Sequence, residues 1–268
     1  MGQNKRRPML FNPMNSLAAA VRLLTVLPVP VRASTPESIA RSPAFFPLVG
    51  LGVGGAMALA NWLGGLALPA LPAAALAVAA GAAISGAMHL DGLADSADGL
   101  FGGRTPERRL EIMRDPGVGA FGVVAVVVVL ILKWSAIASL GPGSGWAAIL
   151  LAPAIARLAS AWVMATSRYA RPEGLGSPYH SGLSAPLLIS TLLACIVGVV
   201  LLGPWALIAV VVAIAVGELT ARLAAARLGG GVTGDVYGAC VELAEAAGLL
   251  CLLALLRTGL GVGFPLGG

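Results

Sequence analysis

Charge is scarce in this chain. Asp, Glu, Lys and Arg make up 11% of its 268 residues, against roughly a quarter in a soluble domain. That shortfall excludes an ordinary water-facing surface. With 58% hydrophobic residues and a mean hydropathy of +0.91, the composition points to one bundle of membrane helices. Aromatic residues are also few, at 5%. They leave little to stack on bases, so the net charge of +5 is not read as a nucleic-acid surface. The basic residues lie in short segments between apolar runs, where they orient a chain in a membrane. Cysteine is limited to Cys195, Cys240 and Cys251, in no metal-ligand spacing; these read as small buried residues. The start, MGQNKRRPML, is basic but lacks a small-residue cleavage pattern, so no cleavable signal peptide is expected.

Residues 1–44 read as a cytoplasmic arm. Within it, 13–28 (PMNSLAAAVRLLTVLP) has one apolar face interrupted by Asn15, Ser16 and Arg22. It is too short and polar to span, and is expected as an amphipathic surface helix ended by Pro28 and Pro30. A transmembrane domain is expected over 45–260, with a tail at 261–268. Its apolar runs fall near 45–63, 70–88, 119–140, 146–166, 185–202, 204–221 and 241–258. Each approaches the ~20 residues a helix needs to cross a bilayer. The fold expected is therefore all-α, a polytopic bundle of about seven spans. Gly50 and Gly54 in the first run offer a close-packing face.

The connections alternate in charge. Those at 64–69, 141–145 and 203–204 carry none, whereas the N-terminal arm and the segments at 104–115, 168–171 and 222–227 carry most of the arginines. Basic short loops stay in the cytoplasm, so the N-terminus is placed inside and, after an odd number of spans, the C-terminus outside. Three ions fall within spans. Lys133 is near enough to an end to snorkel, while Arg157 and Glu218 are expected to pair with each other or to support the cluster of Asp91, Asp95 and Asp98.

The second run leads into HLDGLADSADGLFGGR, residues 89–104. Asp91, Asp95 and Asp98 are spaced i, i+4, i+7 and share one narrow helical stripe. Like charges so placed repel, more strongly at a membrane boundary, which calls for something positive. A divalent cation such as Mg²⁺ is the simplest answer, because it takes oxygen ligands and completes its shell with substrate phosphates. Asp115 either caps the third span or joins the metal site. Gly92 and Gly99 lie beside the stripe. Glycine inside a helix costs about 1 kcal/mol relative to alanine, so the pair suggests close approach of a bulky ligand. His89 is a candidate metal ligand or proton carrier, with a supporting hydrogen-bonding role the commoner outcome. Arg104, Arg108, Arg109 and Arg114 follow, and arginine forks suit phosphate oxygens; anionic lipid and topology are the competing reading. Glycine-rich loops at 168–176 (RYARPEGLG, with Arg168 and Arg171) and 229–239 (GGGVTGDVYGA, with Asp235) could bring backbone N–H groups to a phosphate.

These motifs, in this order, resemble the cobalamin (5′-phosphate) synthase family, the adenosylcobinamide-GDP ribazoletransferases. The resemblance is carried by RLLTVLPVP (22–30), AFFPLVGLGVG (44–54), HLDGLADSADGLFGG (89–103), RRLEIMRDPGVGAFG (108–122), RYARPEGLG (168–176) and GGVTGDVYGACVELAE (230–245). Pro116 departs from it, standing where a serine is expected. The resemblance implies transfer of the adenosylcobinamide-phosphate moiety of adenosylcobinamide-GDP to α-ribazole or its 5′-phosphate, with GMP leaving, in the late nucleotide-loop assembly of cobalamin biosynthesis. It also implies Mg²⁺ and a multi-pass protein of the cell inner membrane whose active site faces the cytoplasm. The ribose 3-hydroxyl would attack the cobinamide-side phosphorus. Asp91, Asp95 and Asp98, with Asp115, would hold metal, and Asp98 or Asp235 would take the proton. Substrate phosphates would meet Arg104, Arg108, Arg114, Arg168, Arg171, Gly92 and Gly99. A homo-oligomer is possible, and the lipid bilayer is a partner by composition.

Two other readings compete. A CDP-alcohol phosphotransferase needs Asp-Gly-x-x-Ala-Arg, and Asp95 stands here in place of that arginine. A cation-coupled transporter should carry acids deep in several spans, and Glu218 is read as the only acid so placed.

Overall fold

A computed structural model describes residues 13–30, 35–141, 143–170 and 184–259. The described chain is all-helical. An amphipathic helix α1 (Pro13–Leu24) and a short α2 (Pro36–Ala40) precede a 3-10 turn, Ser42–Phe45. There follow α3 (Phe46–Gly65), α4 (Ala70–Ser85), α5 (Met88–Gly102), α6 (Pro106–Ile112), α7 (Ala120–Ser139), α8 (Gly145–Thr166), α9 (Ala185–Leu202), α10 (Ala206–Arg227) and α11 (Gly234–Arg257). Six of these are long and apolar enough to cross a membrane, and α4 with α5 forms a sharply bent apolar pair that brings the count to seven if the pair is one span, so the protein is a multi-pass membrane protein. Helix is the expected form, because a bilayer offers no water to satisfy open backbone groups.

The spans assemble around α8, the most deeply buried of them. Small residues permit this. A Cβ on Gly50 would lie 2.5 Å from the backbone of Pro153 and Ala154, and one on Gly54 would overlap the carbonyl of Leu150. The Gly50/Gly54 face therefore seats α3 directly on α8. Helix α1 ends at Leu24 rather than at the prolines, and buries Ser16, Ala20 and Leu24.

The second apolar run does not continue straight into the aspartate segment. It breaks after Ser85 and turns by 87°. Gly86 (φ 61°) and Ala87 (φ 56°) both adopt the left-handed conformation. Three of the carbonyls freed by the break find donors: Ala82 O accepts from Ala87 N (2.8 Å), Ala83 O from Gly86 N (3.1 Å) and Ile84 O from Val26 N (2.9 Å). The last bond draws the TVLPVP segment after α1 onto the break.

Two cations and two carboxylates are buried together inside the bundle. Lys133 Nζ on α7 donates to Glu242 (2.5 Å) and Glu245 (2.9 Å) on α11, and Arg157 Nη1 on α8 donates to Glu245 (3.2 Å). This corrects two expectations. Lys133 does not snorkel, being 5% exposed, and Arg157 pairs with Glu245 rather than Glu218. Glu218 instead accepts from Thr166 Oγ1 (2.6 Å) and meets Arg222 at 3.7 Å. It also corrects the premise that Glu218 is the one acid deep in a span. Helix α11 begins at Gly234, so Glu242 and Glu245 lie in its third and fourth turns.

Two stability measurements follow. A non-glycine residue in the left-handed region carries about 1–2 kcal/mol of strain, so Ala87→Gly should raise the thermal unfolding midpoint in detergent and Ala87→Val should lower it. Glu245→Gln strands a buried cation, a change worth about 3–5 kcal/mol. Its midpoint should fall well below wild type, and the neutral pair Arg157→Met with Glu245→Gln, which leaves Lys133 on Glu242, should recover much of the loss.

Candidate active site

The bend carries the first turn of α5 across the first turn of α11. Gly92 and Gly238 make the crossing possible: a Cβ on Gly92 would sit 2.7 Å from Asp235 O, and one on Gly238 would sit 3.3 Å from Gly92 Cα and His89 Cα. The glycine expected to admit a ligand at Gly92 thus admits a helix. Gly99 is similar, its missing Cβ replaced by Met113 and the Arg109 carbonyl of α6.

Beside this crossing lies a cavity of about 240 Å³. Asp91, His89 and Gly92 of α5 form one wall and Gly234, Asp235, Tyr237 and Gly238 of α11 another. Ser160 and Met164 of α8 contribute, and Leu23 and Leu24 of α1 line the remaining side. Asp91 is exposed, Asp95 half-buried and Asp98 buried, all on α5. Asp235 falls in the first turn of α11, where the helix dipole favours negative charge, and Thr233 Oγ1 donates to its carboxylate (3.1 Å). Nothing lies within 4 Å of a Cβ built on Gly234, so the start of α11 is open to the cavity. His89 is 4% exposed and its Nδ1 lacks a hydrogen-bond partner among the described residues.

The four aspartates of the expected metal set do not converge. Among the described residues no group of three or more His, Cys, Asp or Glu side chains is placed to hold a metal ion. Asp98 instead caps α7 from outside it. Its oxygens accept from Gly119 N (2.7 Å) and Gly122 N (2.9 Å). A Cβ on Gly119 would lie 2.5 Å from that carboxylate, and one on Gly122 would overlap it. Asp115 accepts from Gly117 N (2.9 Å), closing its own turn rather than capping the span. Asp91 and Asp235 are the two carboxylates that share the cavity. Magnesium is commonly held by one or two carboxylates plus substrate phosphates, and the residues present fit that arrangement rather than a preformed cage.

The arginines are dispersed. Arg104, Arg108, Arg114 and Arg168 are exposed and none lines the cavity. Arg108 pairs with Glu111 at 2.7 Å, and that hydrogen bond and charge raise its pKa. Arg171 lies outside the described residues. Arg109 serves the fold: its Nη1 donates to Arg227 O (2.8 Å), while Arg227 donates to Leu100 O (3.0 Å) and stacks on Phe101. The two glycine-rich loops pair with each other, Ala170 N to Val232 O and Val232 N to Arg168 O, both at 2.8 Å. Sequence reasoning missed Ser160 and Tyr237 as cavity residues. Tyr237 was within reach, two positions after Asp235; Ser160 carries no signal beyond a hydroxyl in an apolar span.

Comparison with known proteins identifies the family. A family model described as cobalamin-5-phosphate synthase matches residues 16–253. The chain is 41% identical over 231 residues to the adenosylcobinamide-GDP ribazoletransferase of Deinococcus radiodurans, covering 86% of this chain and 82% of the relative. The protein of that name from Stutzerimonas stutzeri is 42% identical over 241 residues, covering 89% and 98%. That from Roseiflexus is 38% identical over 249 residues, covering 90% of each. No solved structure matches the chain. The sequence motifs, the membrane bundle and the extent of these matches place the chain in the cobalamin-5-phosphate synthase family.

Proposed function

We propose that the protein is an adenosylcobinamide-GDP ribazoletransferase. It joins adenosylcobinamide-GDP to α-ribazole or its 5′-phosphate, releases GMP, and forms adenosylcobalamin or its 5′-phosphate. One observation carries the reading beyond family membership: Asp91 and Asp235, from helices far apart in sequence, face one cavity at the open start of α11. An anionic diphosphate suits that place, because the first N–H groups of a helix are unpaired and its dipole is positive there. Mg²⁺ bound by Asp91 and Asp235 would neutralise charge on the diphosphate and on departing GMP. Asp235, steadied by Thr233, is placed to take the proton from the ribose 3-hydroxyl. His89, Ser160 and Tyr237 supply polar wall for orientation, while Leu23, Leu24, Met88 and Met164 exclude water. The substrates exceed a 240 Å³ cavity. Their outer phosphates and corrin ring would extend over the surface that bears Arg104, Arg108 and Arg168. Asp95 lies one turn on from Asp91 along the same helical stripe. This face would lie in the cytoplasm, a reading that the basic loops support, and the protein in the cell inner membrane.

Purified protein in detergent should release GMP from adenosylcobinamide-GDP and α-ribazole phosphate in a Mg²⁺-dependent manner; absence of product overturns the assignment. Asp91→Asn and Asp235→Asn should each lower turnover by about 10²-fold or more with an unchanged unfolding midpoint. Asp98→Ala should behave differently. Removing two hydrogen bonds to a charged cap costs about 1.5–3 kcal/mol each, so its unfolding midpoint should drop. A stable Asp98→Ala protein lacking only activity would return Asp98 to the chemistry.

A further inference from the structure

Helix α9 is the least buried of the six long spans. Only 22% of it is buried, against 89% of α8. Between α9, α3 and α8 this leaves a groove of about 500 Å³, separate in its lining from the cavity described above. Its walls are apolar, with Pro47, Leu48 and Leu51 on α3, Ile155 on α8, and Leu193 and Val197 on α9. Polar lining is confined to one end. Arg41, between α2 and the 3-10 turn, lies there with Pro13, the first residue of α1, and Ser190 follows about one turn in from Pro186.

The groove has the depth of one leaflet. Along α9 the lining runs from Pro186 to Val197, a rise of about 17 Å, close to half of the ~30 Å hydrocarbon thickness. A helix of a second copy would need a seam across the whole bilayer. A chain entering from the surface beside α1 needs half of it, a cation at the mouth and an apolar remainder. We infer that this groove holds one acyl chain of an anionic phospholipid from the leaflet facing α1, with the lipid phosphate at Arg41. The phosphate gains the arginine's charge at a low-dielectric boundary, and the chain covers apolar wall that α9 leaves open.

The occupant also bears on the catalytic cavity through α1. That helix has Pro13 at the mouth of the groove and Leu23 and Leu24 in the cavity wall, so one rigid element touches both.

Native mass spectrometry of the delipidated full-length protein, titrated with phosphatidylglycerol or with phosphatidylcholine of the same chains, tests the assignment. Wild type should take up one phosphatidylglycerol with about fivefold preference over phosphatidylcholine, the value of one basic residue at a lipid surface. Ala194→Trp fills the groove and should abolish the adduct. Leu192→Trp, on the same helix but outside the lining, should bind as wild type does. Arg41→Gln should bind both lipids equally. Equal adducts in wild type and Ala194→Trp overturn the site. Lack of headgroup preference in wild type overturns the role of Arg41. A dimer without lipid that Ala194→Trp abolishes would assign the groove to a second copy instead.

Discussion

The bundle depends on a buried set of four charges. Lys133, Arg157, Glu242 and Glu245 come from α7, α8 and α11, and their mutual distances of 2.5 to 3.2 Å leave each cation with an anion inside an apolar interior. None of the four can leave alone without stranding a charge where solvation is poor. The set therefore locks three spans in one register. It ties α7 to the two helices, α8 and α11, that supply Ser160, Asp235 and Tyr237 to the candidate cavity. Packing by glycine completes the lock: Gly50 and Gly54 bring α3 onto α8, and Gly92 and Gly238 bring α5 onto α11.

The break at Gly86 and Ala87 turns this scaffold into a site. A straight continuation of α4 would have kept the aspartate stripe stacked beneath one span. The 87° turn lays it across the start of α11 instead. Satisfying the freed carbonyls, in part by Val26 N, is what makes the turn tolerable at a membrane. The aspartates then divide by position: Asp91 meets the cavity, whereas Asp98 is spent on the amide groups of Gly119 and Gly122.

Much of the fold was legible beforehand. The apolar runs at 45–63, 119–140, 146–166 and 185–202 became α3, α7, α8 and α9 almost unchanged, because hydrocarbon thickness sets both run and helix length. The run starting at 241 stops short of Gly234, since glycines and acids at a helix start look like loop. That one boundary puts Glu242 and Glu245 at the end of a span rather than inside it, and so hides them as partners of Lys133 and Arg157. The glycines were noticed, but whether a missing Cβ faces a ligand or a neighbouring helix depends on packing that no single chain segment records.

The sequence by itself determined the membrane class, the family and the acids worth watching, since these follow from composition, run length and the order of short motifs. Only the tertiary structure decided which acids face each other. Asp91, Asp95 and Asp98 share a stripe by helical periodicity alone, yet one helix cannot say what lies opposite. Asp235 reaches Asp91's cavity because α5 bends and α11 starts early, and Asp98 turns aside because two glycines of α7 leave their amides open to it. Those are contacts between segments distant in sequence, and they exist only once the helices pack.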